Sequence, residues 1–64
     1  MKKYYIEHQE LNDTEYDEEL DIWNFVIVHR YVVFDSETHY PQTAFASAWE
    51  AIDYCRKADP EHIY

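Results

Sequence analysis

The chain contains no glycine, and that single absence removes several chemistries at once. Phosphate-cradling loops, dinucleotide fingerprints and nucleophile elbows all need a residue without a Cβ where the backbone turns sharply or meets a ligand. Cysteine is almost as scarce. Cys55 stands alone, so no intrachain disulfide staples the fold, and no Cys/His spacing suggests a structural zinc. No apolar run approaches the ~20 residues that span a bilayer. Met1-Lys2-Lys3 leads into Tyr4-Tyr5-Ile6-Glu7, not into the apolar stretch of a secretory signal. With the free thiol, these features give an expected cytoplasmic location, the host-cell cytoplasm if the chain is phage-encoded. Basic residues are few: five Lys and Arg face fourteen Asp and Glu, for a net charge of −9. Such a balance disfavours direct binding to nucleic acid or an anionic membrane. It favours basic partners, whose approach the field accelerates.

What is present is hydrophobic and aromatic. Residues of apolar type make up 47% of the chain, and twelve are Phe, Trp or Tyr. A length of 64 residues allows one domain, 1–64. A chain of this size buries only about 60% of its unfolded surface, so its core must be efficient. Each aromatic supplies roughly 150–250 Å² toward it. High charge alone would suggest disorder, but disordered chains are poor in aromatic and β-branched residues, and Ile22 to Phe34 is rich in both.

Alternation over Lys3–Gln9 predicts a first strand, with Tyr4, Ile6 and His8 on one side. Ile22–Phe34 is long for one strand, since about 5–6 residues is usual; it either bends near His29-Arg30 or is shared between two sheet neighbours. Asp35-Ser36-Glu37-Thr38 is turn chemistry. His39–Phe45 pairs back as a short strand, which Pro41 confines to an edge. Ser47 and Glu50 have the spacing of a capping box. Ala48, Ala51, Ile52 and Cys55 then mark one helix face, Arg56 and Lys57 suit the last turn, and Pro60 stops the helix, which is placed at Ala48–Ala58. The expected fold is α+β: a small antiparallel sheet of three to four strands with one C-terminal helix packed on a face. Its layout resembles the strand–turn–strand–helix order of many small phage and bacterial proteins.

An acidic segment runs from Glu7, in the first strand, to Asp21, just before the second. Glu7, Glu10, Asp13, Glu15, Asp17, Glu18, Glu19 and Asp21 occur there without one base. Caps at Asn12 or Thr14 predict a short acidic helix, with Tyr16 and Leu20 docked on the sheet and Asp13, Asp17 and Asp21 along another face. As a helix it would carry about one charge per 2.8 Å, from a rise of about 1.5 Å per residue. Duplex DNA carries one per roughly 1.7 Å, a similar density. The plain alternative is a solvated loop that keeps a small protein soluble. An EF-hand fails for want of its central glycine.

His8, His29, His39 and His62 have no metal-ligand spacing, Cys55 falls on the apolar helix face, and no cofactor or metal is expected. Nothing assembles a catalytic group, so the expectation is not an enzyme. It is a small acidic inhibitor of phage type, a DNA mimic that occupies the surface of a basic nucleic-acid-binding protein. An anti-CRISPR or anti-restriction protein, or a blocker of a repair enzyme or a polymerase, fits that class. The expected acidic contacts are Glu10, Asp13, Glu15, Asp17, Glu18, Glu19 and Asp21, with Tyr16, Trp23 and Trp49 as aromatic anchors of the kind interfaces favour. The alternative is a structural or homodimeric interaction domain in which Ile22–Phe34 pairs across a two-fold axis.

Overall fold

Ten of the thirteen residues from Ile22 to Phe34 are β-branched or aromatic, the types that fit a pleated surface, and they hold one unbroken extended segment. In the computed structural model, which describes residues 1–64, the order is β1 (Tyr4–Asp17), β2 (Ile22–Asp35), β3 (Pro41–Phe45) and α1 (Ala48–Ala58). The three strands form one antiparallel sheet in the order β1-β2-β3. β2 does not bend at His29-Arg30. It pairs with β1 along its whole length and with β3 only from Tyr31 to Phe34. β3 is an edge strand, as Pro41 requires, and the register slips between Val33 and Phe34, opposite that proline.

Most of the acidic segment is strand, not helix. Glu10–Asp17 continues β1, each residue paired with β2 from His29 back to Ile22. Thr14 and Tyr16 favour strand, and pairing with the aromatic strand satisfies backbone groups that a lone helix turn would leave to water. The chain reverses at Glu18–Asp21. Asp17 Oδ1 accepts from the backbone N–H groups of Glu19 and Leu20 at 3.0 and 3.3 Å, and Asp21 adopts a left-handed φ of 53°. Asp and Asn tolerate that region best among non-glycine residues. Tyr16 and Leu20 therefore share no helical face, and Asp13, Asp17 and Asp21 line none.

Residues opposite one another in an antiparallel pair share a face. Tyr4, Ile6, His8, Glu10, Asn12, Thr14 and Tyr16 lie with Val33, Tyr31, His29, Ile27, Phe25 and Trp23. α1 covers only the first part of that face. Val33, Ala51 and Cys55 are fully buried, ringed by Tyr4, Ile6, Tyr31, Phe45, Tyr54 and Tyr64. The small side chains of Ala51 and Cys55 let the helix sit close to Val33. Ser47 is the N-cap, with extended φ and ψ, but its side chain makes no capping bond. Its Oγ is buried without a hydrogen-bond partner, so it is turned away from the first-turn N–H groups, and the capping box is not formed.

Asp59 closes the body. Its buried carboxylate accepts from the backbone N–H of Lys3 at 3.1 Å, the Tyr64 hydroxyl at 2.7 Å and His62 Nδ1 at 2.9 Å. Tyr64 Oη in turn accepts from the Tyr4 N–H at 3.2 Å. Burial pushes the Asp59 carboxyl up, but the bonds from His62, Tyr64 and Lys3 outweigh it and hold the group well below the usual carboxylate range. Chain start and chain end are joined through one side chain.

Candidate interaction arm

Beyond the reach of β3 and α1, β1 and β2 continue alone. The eight pairs from Glu10–His29 to Asp17–Ile22 project about 24 Å at a rise of about 3.4 Å per residue, and they give the molecule its 51 × 20 × 12 Å shape. A bare two-stranded hairpin is marginal on its own in water. This one carries the features expected of an interacting element.

Charge is segregated onto the arm. Residues 10–28 include seven acids (Glu10, Asp13, Glu15, Asp17, Glu18, Glu19 and Asp21) and no Lys, Arg or His. The arm thus carries −7 of the net −9. All seven expected acidic contacts fall here, in two groups: Asp13, Glu15 and Asp17 on the sheet face away from α1, and Glu18, Glu19 and Asp21 in the turn. Glu10 stands on the opposite face. Strand geometry spaces Asp13, Glu15 and Asp17 about 6.8 Å apart. That is sparser than the spacing of about one charge per 2.8 Å expected of a helix. The dense phosphate track expected of a helix is absent.

The expected aromatic anchors separate. Tyr16 and Trp23 face each other across the arm's end, ring centroids 5.2 Å apart, and Tyr16 donates to Asp21. That bond raises the Tyr16 hydroxyl pKa. Trp49 lies elsewhere, in the first turn of α1. Sequence reasoning missed Phe25 and Ile27. Neither was among the expected contacts, yet Phe25 is 89% exposed and Ile27 60%, beside Trp23 at 66%. A nearly continuous apolar strand is normally covered on both faces; here α1 ends before it reaches them. The outer edge of β2 from Ile22 to Arg30 has no strand partner and bears no acid. The edge of β1 is also open, but its carboxylates discourage pairing.

At the base of the arm the register joins His29 of β2 to His8 and Glu10 of β1, about twenty residues earlier in the chain. His8 Nε2 lies 2.9 Å from His29 Nδ1, and Glu10 Oε1 lies 4.0 Å from the same nitrogen. Residues opposite or diagonal across a pair of strands meet this way, and no spacing along the chain could have shown it. No helix is long and apolar enough to cross a membrane. Searches of family models, curated proteins and solved structures find no match to this chain.

Proposed function

We infer that the protein acts by binding another macromolecule through its projecting hairpin. The partner in this reading is a basic, nucleic-acid-handling protein whose binding surface the arm occupies, as a small inhibitor would, in a reducing cytoplasm where Cys55 stays free. The supporting observation is the segregation of charge: seven acids and no Lys or Arg on a narrow arm. At a Debye length of about 8 Å in physiological salt, such an arm presents a negative field along its own length and little beyond it. The Tyr16–Trp23 pair beside the acidic turn supplies the aromatic anchor.

Asp17 and Asp21 help to shape the turn, so the informative variant spares them. Glu15→Lys, Glu18→Lys and Glu19→Lys together reverse charge on side chains without a recorded bond. A basic protein captured from bacterial lysate at low salt, and lost both at high salt and with this variant, supports the reading. Capture that ignores salt, or affinity for DNA itself, overturns it.

A second reading is favoured by a different observation, the acid-free β2 edge with Trp23, Phe25 and Ile27 exposed beside it. Two copies paired along Ile22–Arg30 would extend the sheet, satisfy its open edge and set a second copy's side chains beside the exposed apolar strip. Salt separates the readings, because screening weakens a basic partner's grip and relieves repulsion between two acidic arms. A strict monomer in sedimentation at all salt concentrations removes the second.

A further inference from the structure

The geometry points to a divalent transition-metal site of the zinc class formed by His8, Glu10 and His29 at the base of the arm. The three side chains lie on one sheet face, two from β1 and one from β2, with donor atoms all within 4.8 Å of one another. His8 Nε2 and His29 Nδ1 approach to 2.9 Å, a hydrogen bond in which one ring nitrogen donates and the other accepts. A metal ion replaces that bridging proton, which moves to the other nitrogen of its own ring, and both imidazoles remain neutral donors.

The adjustments needed are small. Two nitrogens bound tetrahedrally at about 2.0–2.1 Å stand about 3.3 Å apart, so the His8–His29 gap opens by about 0.4 Å. The Glu10 oxygen, now 4.0 Å from His29 Nδ1, closes by a similar side-chain movement. Each ring swings slightly to aim its nitrogen at a common ion. His8 stacks on Tyr31 at 4.7 Å and 12°, and the two imidazoles lie within 18° of parallel. Arg30, next to His29 in sequence, lies on the other sheet face by register. Imidazole donors select zinc, cobalt, nickel or copper over calcium and magnesium. Three protein ligands leave at least one position for water.

The location gives the site a role. His8 pairs with Tyr31, which β3 also pairs, whereas Glu10 and His29 form the next inward-facing pair, where β3 has ended. An ion there ties β1 to β2 at the point where the hairpin loses its third strand, and it stiffens the arm at its root.

The experiment uses the full chain, stripped with chelator and titrated with Zn²⁺ by calorimetry and with Co²⁺ by visible absorption. The expected result is one ion per chain with the intense bands of four- or five-coordinate cobalt. Hydrogen exchange should slow in residues 10–28, and melting should rise with ion concentration as binding to the native state requires. His8→Ala and His29→Ala should each weaken binding at least ~10–100-fold, the loss known even for outer-shell partners. Glu10→Gln should weaken it less, and His39→Ala and Glu18→Gln should leave it unchanged. Circular dichroism confirms that each variant is folded. Binding that survives the His8/His29 double variant, six-coordinate pale cobalt spectra, or one ion per two chains would each overturn the assignment.

Discussion

Val33 and Phe25 sit on one face of one strand, eight residues apart, and their truncation should have opposite consequences from those their hydrophobicity suggests. Val33 is fully buried against Ala51 and Cys55, while Phe25 is 89% exposed. Val33→Ala removes two methyl groups, about 1.6 kcal/mol of transfer free energy at ~0.8 each. The cavity left under a helix held close by small residues raises this to about 2–3 kcal/mol. A domain of this size has about 3–10 kcal/mol in all, at ~0.05–0.15 per residue, so the loss is a large share and lowers Tm by roughly 10–20 °C. Phe25→Ala loses only strand propensity and its contact with Thr14 opposite, under about 1 kcal/mol. Urea unfolding followed by far-UV circular dichroism is the suitable assay, because both tryptophans are largely exposed and report weakly on the core. A Phe25→Ala loss equal to that of Val33→Ala would refute the reasoning. If that loss also grew with protein concentration, a second copy would be covering the strand.

Three further outcomes are expected. Ser47→Ala should be neutral or slightly stabilising in thermal melts, because the Oγ is buried and unpaired; a loss near the ~1 kcal/mol of a working cap would show that the hydroxyl does bond the first turn. The folded-state pKa of Asp59 is depressed, so its contribution is present above the ordinary value of 3.8 and is lost as pH falls through the lower folded value. Asp35, held down by the N–H groups of Thr38 and Glu37, adds in the same direction; melting should therefore fall below about pH 4, and Asp59→Asn should flatten that acid slope. Burial, and then the nearby Asp59 charge, push the Cys55 thiol up, so a thiol reagent should label it slowly, at a rate set by opening that urea accelerates; immediate stoichiometric labelling of the folded chain would contradict the packing.

The body of the fold was legible because its signals are local. The spacing of Ala48, Ala51, Ile52 and Cys55, with Pro60 beyond, places α1 at Ala48–Ala58 in sequence and structure alike. Pro41 marks an edge strand and Asp35–Thr38 a turn, each from its own backbone preferences. The arm was not legible. Glu10–Asp17 is acidic and carries helix-capping residues, and its strand state depends on a partner up to nineteen positions away, Glu10 against His29. The seven acidic residues lie on one element, but that element is an extended hairpin, whose residue spacing is wider than a helix's.

Composition alone determines that this chain is acidic, lacks glycine-dependent loops and has one thiol, because those properties need no partner. Local pattern determines one C-terminal helix and strands rich in aromatic residues, because side-chain period acts over a few neighbours. Only tertiary structure decided which apolar residues are core. An α1 of eleven residues is about 16 Å long at 1.5 Å per residue, while strands of fourteen run to about 48 Å at 3.4 Å per residue. The helix therefore buries Val33 and leaves Phe25 in water. The same pairing register brings His8, Glu10 and His29 to one point, since contacts across strands are set by hydrogen-bonded alignment and not by distance along the chain.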